Sequence, residues 1–465
     1  MGRVRSAHEP FPSDRVEVRG VYDRAAAGFA ALGFLSLITN RLPVLTVAAW
    51  GAAAVTAGIA RVRRAPPRPR LEVGVGLVWA YWIASYALTG ESWSHFFSYE
   101  FHRRDGQIFF SLLPLLVLSW VRIDARQASR VFAAFCAAQG LIVAAALPVF
   151  LRDGGRDLYG VLFVDSNTPE HLPFFVGLYR AHNAAGSVLA LCTLAAVALA
   201  LFAPTPRAWW GWALLAVPLQ MGVLLSKSRG SILALGVGLA CLVGAAIRRR
   251  RLTGKAVALA VLVLLVDAAL LGPMLVRRFA EFAIPGDTHT LRLQQWKRAA
   301  AEWKASPFVG QGMGRFNDEE REGSGRKPFY WVVTRARVVH SDAHAHNSYA
   351  HFLSEGGIAG CALTVGFWVW VAWKLGPMGG AAPKAATAAV AFLLTISFTE
   401  HYMGGGAMLL VLSSLVGAAW SLRSSPWTSG APWGAPGRFG GSWSDATACT
   451  VPRGGSRFGD ARPAG

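Results

Sequence analysis

Two adjacent polar residues, His346 and Asn347, lie where a long polar segment meets an apolar one, in the stretch VHSDAHAHNSYAHFLSEGGIAGC at 339–361. An imidazole titrates near neutral pH, so a histidine here can take a proton from a hydroxyl group or hydrogen-bond to a phosphate. Nine residues separate Asn347 from Gly357, and Gly360 completes a Gly-x-x-Gly pattern. We interpret this stretch as a candidate active site at the start of a helix.

The same histidines allow two other interpretations. An H-x-H pair can chelate zinc on an extended segment, so His344 and His346 with His340 or Asp342 are candidate metal ligands. Alternatively the segment is structural, with Asn347 capping the following helix. The sequence leaves the three interpretations open.

A second polar segment, SKSRGS, connects two apolar stretches and opens the second of them. Unpaired backbone N–H groups at a helix N-terminus attract anions, and Lys227 and Arg229 add two positive charges beside Ser228. The segment predicts a phosphate site. The alternative is that both basic side chains only snorkel to a membrane surface.

Two further arginines precede or begin helical patterns. Arg180 lies in LYRAHNAAG before an apolar stretch, and the alternative to a binding role is a solvated arginine with Asn183 as the helix N-cap. Arg292 lies in an amphipathic pattern from Thr288 to Ser306, which is also typical of a helix on a membrane surface. The apolar face of that pattern is Leu293, Trp296, Ala300 and Trp303.

The elements that must position these residues are apolar helices. The chain has 465 residues, 53% of them hydrophobic, only 15% charged, 18 tryptophans and a mean hydropathy of +0.37. Apolar runs of membrane-spanning length predict an all-α polytopic membrane protein with about twelve transmembrane helices. We expect them near 23–39, 43–60, 72–89, 107–121, 130–150, 184–203, 208–225, 230–247, 255–276, 349–373, 383–399 and 404–422.

The net charge of +20 follows a topological pattern. Arginines concentrate in alternate short connections, which is the positive-inside pattern and argues against nucleic-acid binding. It predicts a cytoplasmic N-terminus at 1–22, nine helices within 23–276, a large periplasmic loop at 277–348 containing helices, three helices within 349–422 and a disordered cytoplasmic tail at 423–465. The histidine and SKSRGS segments then share the periplasmic face.

The His-Asn, spacer, Gly-x-x-Gly pattern, together with SKSRGSILAL and RLQQWKRAAAEWKASPFVGQGMGRF, resembles the bacterial O-antigen ligase family, within the O-antigen ligase/polymerase superfamily. The resemblance implies a C-type glycosyltransferase-like fold in the bacterial inner membrane. It also implies that O-polysaccharide is transferred from undecaprenyl diphosphate to a sugar of the lipid A core, without a cofactor.

The resemblance assigns roles to the residues singled out above. His346, Arg229 and Arg180 are expected to be catalytic, with His346 as a base or a phosphate ligand. Fixed guanidinium groups can neutralise a departing diphosphate as a metal would, so no metal is expected. A retaining mechanism would need a carboxylate nucleophile, and the outer loops lack carboxylates paired at a suitable spacing, so inversion of the anomeric carbon is expected. The expected diphosphate-binding residues are Arg180, Arg229, Arg292 and Lys227, supported by Asn347, Ser228 and His344.

Other functions remain open. An O-antigen polymerase or a protein O-oligosaccharyltransferase of the same superfamily would differ only in the acceptor. About twelve helices with internal glycines also fit a membrane transporter or lipid flippase. A carrier is expected to have matching halves, whereas the polar residues of this chain collect at one surface.

Overall fold

The computed structural model describes residues 12–39, 42–62, 71–98, 101–102, 105–121, 123, 125–153, 162–164, 173–179, 181–203, 205–249, 254–280, 288–316, 331–334, 337–340 and 344–423. Its helices are α1 (Pro12–Leu35), α2 (Pro43–Val62), α3 (Leu71–Ala87), α4 (Trp93–Phe96), α5 (Gln107–Ser111), α6 (Leu113–Trp120), α7 (Ala125–Asp153), α8 (His182–Leu201), α9 (Pro206–Leu225), α10 (Arg229–Arg248), α11 (Gly254–Ala280), α12 (Thr288–Ala305), α13 (Ser348–Leu375), α14 (Ala381–Ile396) and α15 (Ala407–Arg423). A 3₁₀ turn (Ser36–Ile38) follows α1.

Strands are few and short. β1 (Phe163–Val164) pairs antiparallel with β2 (Phe174–Phe175), and β3 (Trp331–Thr334) pairs antiparallel with β4 (Arg337–His340). Trp331 pairs with His340 and Thr334 with Arg337. The described chain is therefore a helical protein with two small hairpins in the connections.

Seven helices in the described part of the chain are long and apolar enough to cross a membrane. Four further apolar helical segments are shorter, and the span predicted at 107–121 is divided between α5 and α6. The helical membrane class predicted from hydropathy is confirmed, while the total of about twelve crossings stays a prediction. The seven are Val21–Ile38, Pro43–Val62, Gln127–Arg152, His182–Leu201, Pro206–Leu225, Arg229–Arg248 and Ser348–Leu375.

α8 is the central helix. It packs against α9, α10, α14 and α15, and almost all of its residues from Ala185 to Ala200 are buried. The helix is alanine-rich and apolar all round, as expected of a helix enclosed by others. The packing of α8 against these helices therefore fixes the position of its first turn relative to their ends.

α13 is broken near its middle. Gly357 has φ 60° and ψ −164°, a backbone conformation that is essentially restricted to glycine. A Cβ atom there would lie 2.3 Å from the carbonyl carbon of Phe308, so the break also brings a neighbouring loop into backbone contact. Gly360 is constrained by side-chain packing, because its Cβ would lie 2.6 Å from the Tyr81 ring. The Gly-x-x-Gly pattern therefore marks a helix break and two close approaches.

Gly357→Ala should destabilise the folded protein by about 3 kcal/mol or more, because strain at a glycine-only conformation adds to overpacking. Thermal unfolding in detergent measures the change. Gly366→Ala is the matched control, since it lies in the same helix with no heavy atom within 4 Å of its Cβ position. The control should be neutral or stabilising by up to about 1 kcal/mol. Equal unfolding temperatures for the two variants would contradict the role assigned to the break.

Candidate functional site

Three separate segments of the chain converge on the buried carboxylate of Glu400. Its Oε1 accepts hydrogen bonds from the Asn183 side-chain amide at 2.8 Å and from Arg292 at 2.7 Å. Its Oε2 lies 3.2 Å from Nδ1 of His346. Glu400 is only 6% exposed, and a buried carboxylate requires such partners. The arrangement joins one anion to one arginine, one imidazole and one amide.

The start of α13 is anchored directly to the segment that carries Glu400. Asn347 is the N-cap, and its side-chain oxygen accepts from the Ala350 N–H at 3.1 Å. Ser348 donates its backbone N–H to the Ser397 carbonyl at 2.8 Å and its hydroxyl to the Glu400 carbonyl at 3.1 Å. His346, just before the cap, has φ 45°, a rare conformation for a residue other than glycine. The cap and the strained backbone together direct His346 toward Glu400.

Glu400 is held in its ionised form. Burial raises the pKa of Glu400, but His346 and Arg292 lower it by more, so that the pKa of this carboxyl lies below its ordinary value. An ionised carboxylate only accepts hydrogen bonds, so Nδ1 of His346 carries the proton in this contact. In the neutral imidazole with this tautomer, Nε2 carries the lone pair that a general base requires.

Three more imidazoles extend from His346 in a series of ring contacts. The ring centroids of His344 and His346 are 4.5 Å apart, those of His344 and His401 are 5.9 Å apart, and those of His401 and His351 are 3.9 Å apart. Burial, followed by the neighbouring His346, lowers the pKa of His344 to about 3. Burial also lowers the pKa of His401, again with help from adjacent histidines. His344 and His401 are therefore neutral at physiological pH.

Acid should destabilise the protein through His344. Because its folded pKa of about 3 lies below the ordinary value of 6.5, the unfolded chain binds the proton more tightly. The stability that His344 contributes is complete above about pH 6.5 and falls as the pH decreases toward 3. Glu400 also loses its contribution as the pH falls below 4.5, the ordinary pKa of a glutamate. Unfolding temperatures in detergent between about pH 7.5 and pH 4.5 should decrease, and His344→Gln should flatten that slope. A slope as steep as that of wild type would contradict this account.

The start of α10 lies beside this cluster. Arg229 is its first residue, and Ser228 is the N-cap, with its Oγ accepting from the Ser231 N–H at 3.4 Å. Gly230 abuts the residue before Glu400, since a Cβ there would lie 2.2 Å from the hydroxyl of Thr399. The half-buried Arg229 thus begins a helix next to the Glu400 segment.

Lys227 belongs to a second group of cations nearby. It is 4% exposed, has φ 52°, and its Nζ lies 5.0 Å from the centroid of the Phe174 ring. The guanidinium of Arg278 lies 4.9 Å from the same ring, and the His182 ring stacks on it at 4.4 Å. Sequence analysis assigned no role to Arg278 or Phe174. Arg180, expected at this surface, lies outside the described residues.

α12 reaches the cluster from the long connection between α11 and α13. Its Arg292 bonds Glu400, and the indole N–H of Trp296 donates to the Ala345 carbonyl at 3.0 Å. The face predicted as apolar differs from the buried one, because Leu293 is exposed whereas Ala299 is buried. α12 is positioned by polar contacts around the histidines as well as by apolar packing.

His344, His346 and Glu400 could together hold a metal ion, because their ligand atoms lie within 4.8 Å of one another. Zinc accepts imidazole and carboxylate ligands, so the chemistry of the donors suits it. However, Arg292 already contacts Glu400 at 2.7 Å, and its positive charge competes with a cation. Of the other ligands predicted for a zinc site, Asp342 lies outside the described residues, and the side chain of His340 is not described.

Glu400 is the residue of this site to which sequence reasoning assigned no catalytic role, although it was a candidate for a polar contact between helices. It follows an apolar stretch, and a carboxylate at the end of a membrane helix is costly unless paired, which was the available signal. Its partners are 54, 108 and 217 residues away in the chain, so local spacing gave no indication of them. Asn183, considered as an N-cap, instead lies inside the first turn of α8, whose N-cap is Ala181.

Residues 213–365 match the family model described as O-antigen ligase. The matched range contains Lys227, Ser228, Arg229 and Arg292, as well as His344, His346 and Asn347. Arg180, Asn183 and Glu400 lie outside it. No curated protein matches the chain.

Proposed function

We propose that this chain, of which residues 213–365 match the O-antigen ligase family model, is a glycosyltransferase of the ligase type. Its donor is O-polysaccharide linked to undecaprenyl diphosphate, and its acceptor is a sugar of the lipid A core. The reaction takes place at the periplasmic face of the bacterial inner membrane. The contact of His346 with the ionised Glu400, beside Arg292, is the observation that carries the proposal.

His346 acts as the general base. Glu400 accepts the Nδ1 proton and orients the ring, so that Nε2 removes the proton from the attacking sugar hydroxyl. The imidazolium that forms is stabilised by the same carboxylate. Glu400 therefore supports the histidine in the way that a carboxylate supports a catalytic imidazole in many hydrolases.

Basic residues stabilise the leaving group. Cleavage of the bond between sugar and diphosphate leaves negative charge, and fixed cations that meet it where water is excluded lower the barrier. Arg229 and Arg292 lie beside the Glu400 cluster, Lys227 is next to Arg229, and Arg180 is the fourth residue that we assign to this role. Guanidinium groups suit phosphate oxygens because they can form two parallel hydrogen bonds.

The reaction inverts the anomeric carbon. Retention needs a carboxylate nucleophile, and Glu400 is unsuited to that role because Asn183, Arg292 and His346 already engage its oxygens. A single displacement by the acceptor hydroxyl remains. The configuration of the new linkage, measured by NMR on the product, tests this step, and retention would exclude it.

Reconstitution tests the proposed function directly. Proteoliposomes that contain the protein, polysaccharide on undecaprenyl diphosphate and lipid A core should form the joined product without nucleotide. Replacing the core by a second lipid-linked repeat unit tests a polymerase, and replacing it by a protein acceptor tests an O-oligosaccharyltransferase. Movement of the lipid donor across the bilayer without any product would instead identify a transporter or flippase.

Transfer should continue after removal of metal ions. With arginines neutralising the diphosphate, excess chelator is expected to change the rate by less than about twofold, because no Lewis acid takes part. The measurement is product formation before and after chelation, with a metal-dependent glycosyltransferase assayed in parallel as the control. Loss of transfer with chelator and its recovery with zinc would instead assign His344, His346 and Glu400 to a metal site.

A further inference from the structure

A second buried carboxylate, Glu355, lies on α13 and is not among the residues that contact Glu400. It is 3% exposed. Its Oε1 accepts the backbone N–H groups of Gly314 at 3.0 Å and Phe316 at 3.2 Å, and its Oε2 lies 3.3 Å from Nε2 of His351. Hydrogen bonds from N–H groups to a carboxylate are strong, particularly where water is excluded. Glu355 therefore holds the backbone of a neighbouring segment.

That segment, residues 306–316, is called the clasp loop below. It covers the break in α13, where backbone groups have lost their partners within the helix and need others. Gln311 and Gly312 donate their N–H groups to the carbonyls of Ser354 and Glu355, at 2.8 and 2.9 Å. In the opposite direction, the carbonyls of Pro307 and Phe308 accept from Ile358 and Ala359, at 2.8 and 3.1 Å. The clasp loop thus completes the hydrogen bonding of the broken helix.

The glycines of the clasp loop allow this contact. Gly310 has φ 71°, and a Cβ there would lie 2.3 Å from the carbonyl carbon of Glu355. Gly357 makes the reciprocal approach to Phe308. Two motifs that are separate in the sequence, GQGMG and EGGIAG, are therefore two sides of one backbone-to-backbone contact.

The clasp loop is also fastened to α12. The guanidinium of Arg298 donates to the Phe316 carbonyl at 2.8 Å and lies 4.4 Å from the centroid of the Phe316 ring, while its Nε bonds Glu302 at 2.8 Å. Phe316 is the residue whose N–H Glu355 accepts. A continuous set of contacts therefore leads from Glu355 through Phe316 and Arg298 to the helix that carries Arg292.

We propose that Glu355 is a positioning residue that places Arg292 in the site by holding the clasp loop, and with it α12, against the break in α13. The proposal rests on the proposed function only in that Arg292 serves the diphosphate. Glu355 itself touches no substrate. Its two oxygens have separate contacts, Oε1 with the clasp loop and Oε2 with His351.

Hydrogen exchange tests the structural half of the proposal without any activity measurement. Glu355→Ala removes the acceptor, so amide exchange in 306–316 and in α12 should accelerate by about tenfold or more. Glu355→Gln keeps an amide oxygen for the loop and should stay within about threefold of wild type. Glu91→Ala is the matched control, because Glu91 also contacts the clasp loop, 3.6 Å from Arg315, but its side chain is 25% exposed. Unchanged exchange in Glu355→Ala would overturn the proposal.

A double-mutant cycle tests the functional half. If Glu355 acts by placing Arg292, Glu355→Ala and Arg292→Ala should each raise the donor KM or lower kcat, and the double variant should be no worse than Arg292→Ala alone. Effects that multiply would show that Glu355 acts elsewhere and would overturn the proposal. If Glu355→Ala fails to insert into the membrane, Glu355→Asp takes its place, because aspartate keeps the charge but reaches less far toward the loop. Glu355→Asp should also accelerate exchange, and its combination with Arg292→Ala should be no worse than Arg292→Ala alone. If the wild-type protein shows no transfer, the proposed function is refuted. The exchange measurement then tests by itself whether Glu355 holds the clasp loop.

Discussion

Replacement of His346 by alanine should lower kcat for glycan transfer by about 10²- to 10⁴-fold, the usual contribution of a general base. The effect should appear in kcat, because the proton moves only in the transition state. Glu400→Gln should also lower kcat strongly, because a neutral amide no longer fixes the Nδ1–H form of the ring or stabilises the imidazolium. Single-turnover rates in proteoliposomes with saturating lipid donor measure both variants.

The two roles that the sequence allows for His346, base and phosphate ligand, give different kinetic results. As a base, its loss lowers kcat and leaves donor affinity largely unchanged; as a phosphate ligand, its loss raises the donor KM. His102→Ala is the control, because this histidine packs among Phe96, Phe101 and Phe109, apart from the Glu400 cluster. A raised KM with unchanged kcat in His346→Ala would contradict the base and support the ligand. Unchanged kinetics would remove His346 from the mechanism.

Arg229→Ala should lower kcat/KM by about 10²- to 10³-fold, as expected when one preorganised donor to a developing anion is lost. Arg229→Lys should recover little of this, because an ammonium group cannot form the paired hydrogen bonds that a guanidinium forms with phosphate. Initial rates at several donor concentrations provide the measurement. Full activity in the lysine variant would show that charge alone suffices.

The control for Arg229 lies at the opposite end of the same helix. Arg249 is the residue after α10 and bonds the carbonyls of Pro377 and Met378 at an exposed position. Arg249→Ala should leave transfer within about twofold of wild type, since exposed polar contacts contribute little. Equal losses in both variants would point to a general requirement for α10 and contradict a specific role of Arg229 at the diphosphate.

Hydropathy and helix signals identified the helical membrane class and the start of α13 from local residues. Asn347 is the N-cap of α13, because the first backbone N–H groups of a helix have no acceptor within the helix and a side-chain oxygen can supply one. The Glu400 cluster was beyond such reasoning, because Asn183, Arg292 and His346 meet only after separate helices pack around α8. Likewise, the sequence marked the Gly-x-x-Gly pattern only as part of a motif, whereas the structure shows that it breaks α13 and lets a loop bind across the break.

The enclosure of α8 affects how the surrounding lipid influences the reaction centre. A helix without a lipid-facing side is not pulled directly by acyl chains when the bilayer thins or stiffens, and any such force must pass through α9, α10, α14 and α15. Asn183, in its first turn, therefore gives Glu400 a reference point that is shielded from membrane composition. Lipid dependence of turnover should then reflect how the proposed lipid-linked donor diffuses and docks, with the geometry of the charged groups preserved.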